Sequence, residues 1–420
     1  MEHEPRPAIW NARAAGVWTR LIAPAFFLAL AMVLAAAPAL SGGRERKFDS
    51  LGQEIVSLVR EKFFDPKAAE AWAAAHDHFG ARAESRESFV RITREALEDL
   101  ETSHTGYYTP ADPRYYGLLA IFREALGVKR VVYESIGADF TEEGFVRTVF
   151  AGGPAEKAGL RRGDRVLKAD GGEFGPVLSF KGRAGRQVTL TVERAAGAPP
   201  LEVSVTPRRI DPEKEWLEAQ EAGSRLVQRD GVAAAYVPLF SCAGEQYLEA
   251  LQEAIGGKLR VAGALVLDFR NGWGGCDPDF VNLFNKAVPA LSSIGRDGKE
   301  HVFDPRWRGP LVVLINGGTR SGKEVVSYAV KKHRLGTLVG ERTAGAVVGG
   351  SGFLLSDRSL LYLAVLDSRV DGDRLEGVGV EPDVKVEDAL PYAAGADPQL
   401  EKALEAVARA AVEPAGKQDR

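Results

Sequence analysis

The sequence lacks a dominant charge, an internal repeat and any long low-complexity tract. Its 54 lysines and arginines nearly balance 58 aspartates and glutamates, which leaves a formal charge of −4 over 420 residues. The basic residues are spread along the chain rather than gathered in a stripe, so no nucleic-acid partner is predicted. With 45% hydrophobic and 27% charged residues, the composition is that of a soluble globular protein of two or three domains.

Cysteine and histidine are scarce, with two and six residues. His76 and His78 form an H-x-H pair on a predicted helix, where neighbours at this spacing face apart. We therefore predict surface histidines, no metal site and no cofactor. Cys242 and Cys276 each follow a predicted core strand. They could form a disulfide if these strands are parallel neighbours, and two unpaired thiols are the alternative.

The N-terminus carries the longest apolar run. Arg13 and Arg20 precede residues 21–40, which are almost entirely apolar and end in small residues. This pattern predicts a secretory signal peptide within residues 1–43. An uncleaved membrane anchor formed by residues 21–40 is the alternative, because about 20 apolar residues can span a bilayer. Both alternatives place the body of the protein outside the cytoplasm, in the periplasm or secreted, where disulfides persist.

Hydrophobic periodicity divides the remaining chain. Helical stripes over residues 49–64 and 86–100 predict a small N-terminal helical cap, residues 44–115. Short β-type runs separated by glycine turns follow over residues 128–212. From 213 to 412 strands alternate with helices, which predicts an α/β core with a mainly parallel sheet.

Individual helices within that core can also be assigned. The segment 278–287 is predicted to be a helix, and residues 322–332 another. Asp397 and Pro398 are a helix-start signal, and the amphipathic pattern that follows extends to Val412.

A short apolar run, a glycine turn and a helical pattern follow one another around Ser321. This arrangement sets a hydroxyl at a helix start, where free N–H groups favour negative charge. Residues 317–323 match the phosphate-binding pattern G-x-x-x-x-G-K, but Glu324 stands where a serine or threonine would hold Mg²⁺. We therefore interpret Ser321 as a nucleophile. Oxyanion donors are available from the Gly322 amide and from the glycine loop 271–275.

The run from Gly152 to Asp164 reads G-G-P-A-E-K-A-G-L-R-R-G-D and resembles a PDZ domain. The resemblance implies an inserted, mostly β domain that adds an extended peptide to its sheet edge. The peptide carboxylate would bind the matching loop, which contains Ile136, Gly137 and Ala138. Asp139 follows at once, and its carboxylate would repel that of the peptide.

Six motifs occur in the order found in the C-terminal-processing, or tail-specific, serine peptidases and their relative, the tricorn core protease. They are Ser103-His-Thr105, the PDZ run, Leu267 to Gly275, the Ser321 segment, Gly340 to Gly345, and Glu376 to Asp383. The chain resembles this family over most of its length after Phe48. The resemblance implies a crotonase-like core and hydrolysis of peptide bonds in protein or peptide substrates.

The residue that activates the serine departs from the tail-specific pattern. That branch has a lysine just after the Gly-Glu-x-Thr-x-Gly motif, and Ala346 occupies the position here. Lys323 is no obvious substitute, because two residues along a helix it points to a different face from Ser321.

The tricorn-like branch uses histidine instead, and its site residues can be carried over by resemblance. His104 then matches the general base, Ser103 an auxiliary hydroxyl and Glu376 the supporting acid. Gly274 and Gly322 match the oxyanion donors.

The sequence thus predicts an extracytoplasmic serine endopeptidase that uses Ser321, His104 and Glu376. The alternative is a non-catalytic peptide-binding pseudo-peptidase that keeps the fold and the PDZ domain but has lost its base. Ala346 is the reason to consider that alternative.

Overall fold

The computed structural model describes residues 45–412 except 286 and 305. The signal peptide or anchor predicted within residues 1–43 lies outside the described residues. Among the helices of the described part, none combines the length and apolar character needed to cross a membrane.

Helices and strands alternate along most of this part of the chain. The α-helices are α1 Glu45–Lys62, α2 Pro66–Ala75, α3 Arg86–Glu98, α4 Pro113–Ile121, α5 Pro154–Lys157, α6 Pro212–Gly223, α7 Glu245–Gly256, α8 Gly322–Lys332 and α9 Pro398–Val412. The strands of the first half are β1 Gly106–Tyr108, β2 Tyr133–Ser135, β3 Ala138–Phe140, β4 Val146–Val149, β5 Arg165–Ala169, β6 Gly172–Glu173, β7 Val188–Glu193, β8 Leu201–Val205 and β9 Arg208–Ile210. Those of the second half are β10 Arg225–Arg229, β11 Val232–Pro238, β12 Ala264–Asp268, β13 Leu291–Ile294, β14 Glu300–Phe303, β15 Leu311–Ile315, β16 Thr337–Gly340, β17 Gly349–Leu354, β18 Leu360–Leu366 and β19 Val384–Lys385.

The core is a six-stranded sheet in the order β10-β11-β12-β15-β16-β19. Every neighbouring pair is parallel except β10 with β11. All residues of β12 and β15 are buried, as expected for parallel strands covered on both faces. The carboxyl ends of these neighbouring strands lie at the same edge. The glycine loop after β12 and the turn before α8 therefore lie side by side.

The N-terminal helices share a second apolar core with β17 and β18. Phe89 and Tyr107 are buried there together with Leu361 and Leu363. Strand β1 pairs with β18 in antiparallel register, so that Gly106 lies opposite Tyr362. Because β1 begins two residues after His104, this pairing carries the histidine to the α/β part of the molecule.

Residues 133–210 form a mostly β unit with its own core. Its main sheet has the order β6-β5-β7-β8, and alternate residues of β7 (Val188, Leu190 and Val192) are buried. Strand β2 pairs with β9, which brings Tyr133 opposite Ile210 and joins the two ends of the unit.

The helix predicted over residues 278–287 is wrong in type and length. Residues Pro278–Leu283 form a 3₁₀ helix instead, with Phe284 at its end. The Asn282 amide donates to the Asp279 carboxylate, and the Ala287 N–H donates to the Asn285 side chain. Such local side-chain bonds compete with the backbone ladder of an α-helix.

The two cysteines form a disulfide, with a Cα–Cα distance of 4.5 Å. Strands β11 and β12 are parallel neighbours, which was the condition for this pairing. The bond joins the loop after β11 to the glycine loop after β12.

Candidate active site

Ser321 stands between β15 and α8 in a strained backbone conformation. Its φ of 56° and ψ of −129° are unusual for a residue with a side chain. The Ser321 N–H donates to the Ala346 carbonyl at 2.8 Å, and this contact helps to hold the conformation. A sharp strand-to-helix turn of this kind presents a hydroxyl at the edge of a sheet, as it does for the nucleophilic serine of α/β-hydrolases.

Glu324 connects the turn at Ser321 to the segment that follows β16 through hydrogen bonds. Its buried carboxylate accepts hydrogen bonds from the Thr343 hydroxyl at 2.5 Å, the Gly345 and Ala346 amides at 2.7 Å each, and the Ser321 amide at 3.1 Å. Burial raises the pKa of Glu324, while these donors act in the opposite direction. In the sequence, Glu324 counts only against a phosphate site. Its S-x-x-E spacing is that of a capping box and signals this positioning role.

Two backbone amides beside Ser321 are available to an oxyanion. A Cβ atom at Gly274 would lie 2.5 Å from the Ser321 Cβ, so only glycine fits there. A Cβ atom at Gly322 would lie 2.3 Å from the Cys276 nitrogen. In the described part of the chain, neither the Gly274 nor the Gly322 N–H donates to a protein acceptor. The geometry therefore leaves two donors next to the hydroxyl.

Lys323 binds the glycine loop and the loop after β11 through their backbone carbonyls. Its fully buried ammonium donates to the carbonyls of Leu239 at 2.5 Å and Asn271 at 2.9 Å. Burial lowers the pKa of Lys323 to about 7. The helical spacing of Lys323 carries no signal of these distant carbonyl partners, so the sequence does not indicate this structural role.

His104 belongs to a chain of hydrogen bonds that ends at a carboxylate. Its Nδ1 lies 2.9 Å from the Ser103 Oγ, which donates to Glu376 Oε2 at 2.9 Å. Glu376 also accepts the amides of Ser103 at 2.9 Å and Val347 at 2.7 Å. Residues predicted from distant parts of the sequence therefore meet here.

The direction of these bonds assigns the histidine tautomer. A carboxylate only accepts, so the single proton of the Ser103 hydroxyl points to Glu376. The hydroxyl oxygen then accepts from His104 Nδ1–H. This leaves the Nε2 lone pair of a neutral imidazole free to take a proton, as a general base requires.

Ser321 and the His104 chain approach each other at the segment 345–347. Ser321 bonds to Ala346, while Val347 bonds to Glu376. Within the described residues, no hydrogen bond joins the Ser321 hydroxyl to the His104 ring directly. Such bonds are often long in unliganded enzymes and shorten with substrate.

The pKa of His104 falls to about 4 because the ring is buried and the positive Arg320 side chain lies nearby, although Glu376 acts in the opposite direction. Burial and Arg320 both disfavour imidazolium, so the ring is neutral at pH 7. Only 5% of the residue is exposed.

This pKa predicts how the reaction of Ser321 with an irreversible inhibitor varies with pH. With a base of pKa about 4, roughly 90% of the pH 8 rate remains at pH 5. An ordinary histidine of pKa about 6.5 would leave only about 3% at that pH. Inactivation rates measured between pH 5 and pH 8 distinguish these two pKa values, and circular dichroism checks that the protein stays folded. A midpoint near 6.5 would contradict the buried, neutral His104.

The remaining predicted site residues lie on the 133–210 unit. Ile136 is buried, and the Gly137 N–H donates to the Ser135 hydroxyl at 2.9 Å. Asp139 is paired with Arg147 at 2.9 Å, which offsets the repulsive charge expected from the sequence. Ala138 and Asp139 line a cavity that is also lined by Arg320, the residue before Ser321.

The two histidines of the H-x-H pair contact different carboxylates, His76 with Asp99 and His78 with Asp49. No group of three or more potential metal ligands occurs among the described residues.

Comparisons with known proteins show which families two segments of the chain resemble. Residues 233–386 match Peptidase family S41, and residues 145–194 match the PDZ domain. The chain thus carries a segment that matches the S41 peptidases and a segment that matches the PDZ domain, both of which the sequence predicted.

Two curated relatives represent the two branches. The chain is 28% identical over 274 residues to the carboxyl-terminal-processing protease of Synechocystis sp., covering 61% of this chain and 62% of that protein. It is 25% identical over 404 residues to the tricorn protease of Thermoplasma acidophilum, covering 86% of this chain and 36% of that protein. The chain thus spans less than two thirds of the length of either relative.

The crystal structure of the tricorn protease shares the fold. The match has a TM-score of 0.53 at 19% identity, over 88% of this chain and 37% of that one.

Proposed function

We propose that this protein is a serine endopeptidase that acts outside the cytoplasm on protein or peptide substrates. The observation that carries the proposal is the hydrogen-bond chain from His104 through Ser103 to Glu376, which leaves Nε2 as a proton acceptor. The S41 match over residues 233–386 supports the reaction class.

In this mechanism the Ser321 hydroxyl attacks the substrate carbonyl while His104 Nε2 takes its proton. The Gly274 and Gly322 amides donate to the oxyanion of the tetrahedral intermediate. His104 then gives the proton to the leaving amine as the C–N bond breaks. In the second half, His104 takes a proton from a water molecule that attacks the acyl-enzyme, and it returns this proton to the Ser321 oxygen as the ester bond breaks and the acid product leaves. Ser103 and Glu376 hold the ring in the required tautomer and stabilise the imidazolium that forms transiently.

The domain boundaries belong to the same proposal. Residues 44–115 form a helical cap that carries His104, residues 128–212 the PDZ domain, and residues 213–412 a crotonase-like core. The pairing of β1 with β18 and of β2 with β9 supports this division. The Cys242–Cys276 disulfide supports an oxidising compartment, reached by a signal peptide or anchor within residues 1–43.

The alternative is a non-catalytic peptide-binding protein. Ala346, which is buried where the tail-specific branch has lysine, favours it. So does the lack, within the described residues, of a hydrogen bond between Ser321 and His104.

A fluorophosphonate probe separates the two functions. Because a neutral base beside an oxyanion site activates the hydroxyl, we expect covalent labelling of a single peptide that contains Ser321, identified by mass spectrometry. Heat-denatured protein is the control and is expected to remain unlabelled. Absence of labelling in folded protein across pH 5–8 would favour the binding protein.

A further inference from the structure

A cavity opens beside the candidate active site, between the PDZ-matching unit and the core. Its lining includes Trp273 of the glycine loop and Arg320, the residue before Ser321. Its volume of about 130 Å³ is roughly tenfold what one water molecule needs. A small charged group with an adjoining side chain therefore has room, and the mechanism above gives this cavity no role.

The cavity carries uncompensated positive charge. Three arginines line it, Arg114, Arg147 and Arg320. Arg147 is paired with Asp139, which lines the same cavity. Over residues 45–412, apart from 286 and 305, neither the Arg114 nor the Arg320 side chain makes a hydrogen bond or an ion pair.

The groups around Arg320 do not act as a counter-ion for its positive charge. Burial and the neighbouring Arg114 lower the pKa of Arg320. Burial raises the pKa of the neighbouring Tyr362, which favours its neutral form, and the Glu324 carboxylate is occupied by four donors. Withdrawing a cation from water without an anionic partner is unfavourable, whereas a carboxylate can accept two parallel bonds from guanidinium.

We propose that Arg320, assisted by Arg114, forms a subsite for a carboxylate of the substrate. The proposal rests on the proposed peptidase function and names a specificity determinant for it. Two sources carry this chemistry, the free C-terminus of a polypeptide and the side chain of an acidic residue. Both fit the charge of the cavity, and its aromatic lining (Tyr133, Phe150, Trp216, Phe240 and Trp273) suits an adjoining apolar side chain.

The same arginine links the subsite to the base. The charged and titratable groups that face His104 are Arg320, Glu376 and Tyr362, the last with ring centroids 5.4 Å apart. Of these, Arg320 holds the His104 pKa down. Arg320→Met therefore raises that pKa towards 6.5, and the acid limb of the inactivation profile moves to higher pH. If Arg320 had only a packing role, its replacement would leave the His104 pKa, and therefore the acid limb of the profile, unchanged.

Binding measured in a Ser321→Ala background tests the subsite independently of catalysis. The probes are fluorescein-labelled decapeptides of sequence GAVLAAVLAA with a free or an amidated C-terminus. Two further amidated peptides carry glutamate or glutamine as the third-last residue. Fluorescence polarisation gives the affinity of each peptide for the full-length chain, and mass spectrometry follows their cleavage by the wild type.

We expect the Ser321→Ala protein to bind one carboxylate-bearing peptide about 10- to 100-fold more tightly than its neutral partner. Adding Arg320→Met reduces this ratio to near one, Arg320→Lys retains part of it, and the exposed Arg114→Met lowers it without affecting the fold. Arg186→Met removes an exposed arginine of the PDZ-matching segment outside the cavity and leaves the ratio unchanged. A difference between the free and amidated peptides would identify the C-terminus as the carboxylate that binds. A difference between the glutamate and glutamine peptides would identify the acidic side chain instead.

Equal binding of all four peptides would overturn the proposal. So would a preference for the free C-terminus that survives Arg320→Met, because it would assign recognition to the PDZ loop at residues 136–138. Failure of the wild type to cleave any of the four peptides would count against the proposed function alone, since the subsite is measured without catalysis.

Discussion

Replacing Ser321 with alanine is expected to reduce kcat/KM for peptide cleavage by about 10⁴- to 10⁶-fold. The substitution removes the attacking oxygen, while the Gly274 and Gly322 amides and the His104 chain stay in place. A residual rate above that of water is expected, because oxyanion donors and substrate binding act without the nucleophile. The assay is hydrolysis of a denatured protein substrate, followed by gel and mass spectrometry.

Ser327→Ala is the matched control. Ser327 lies on the same helix, α8, and its hydroxyl donates to the Lys323 carbonyl within that helix at 2.7 Å. Alanine favours a helix, so fold and activity are expected to persist. Wild-type activity in Ser321→Ala would rule out this serine as the nucleophile.

His104→Gln is expected to cause a loss of similar size, about 10⁴- to 10⁶-fold. Glutamine can keep a hydrogen bond to Ser103 but cannot accept a proton at pH 7. In the wild type, the hydrogen bond at Nδ1 holds the ring so that Nε2 faces away from the Ser103–Glu376 chain. The loss is expected because glutamine has no basic nitrogen to replace Nε2. Cleavage and fluorophosphonate labelling are measured on the same preparation.

His76→Gln controls for the loss of a histidine, because His76 pairs with Asp99 on the N-terminal helices. Thermal unfolding of both variants checks that the buried site still folds. If His104→Gln keeps its labelling rate, another group is the base and the relay at Glu376 has a structural role.

Local sequence signals predicted the regular elements well. Helix α8 follows a glycine turn and keeps a strong amphipathic pattern, and α9 begins after Asp397-Pro398, and both have the predicted bounds. The alternation of strands with helices over residues 213–412 likewise predicted a mainly parallel core. For the helix ends, the information lies within about one turn of the chain. The segment 278–287 failed because asparagine side chains redirected its hydrogen bonds.

The candidate site depends on contacts that no local pattern contains. Ser103 and Glu376 are 273 residues apart and bond directly. Only a resemblance to known peptidases suggested their association. Neither the Lys323 bonds to two loop carbonyls nor the position of Arg320 in the cavity had any sequence signal, because both depend on how β11, β12 and β15 are arranged in space.

The pairing of β1 with β18 has a consequence for the order of biosynthesis. A ribosome completes His104 early and Ser321 much later, and it adds β18 and Glu376 later still. Until those residues emerge, the proposed nucleophile Ser321 exists without a positioned base. A nascent chain is therefore expected to have no peptidase activity, and this activity is expected only when the first and last thirds of the chain have come together.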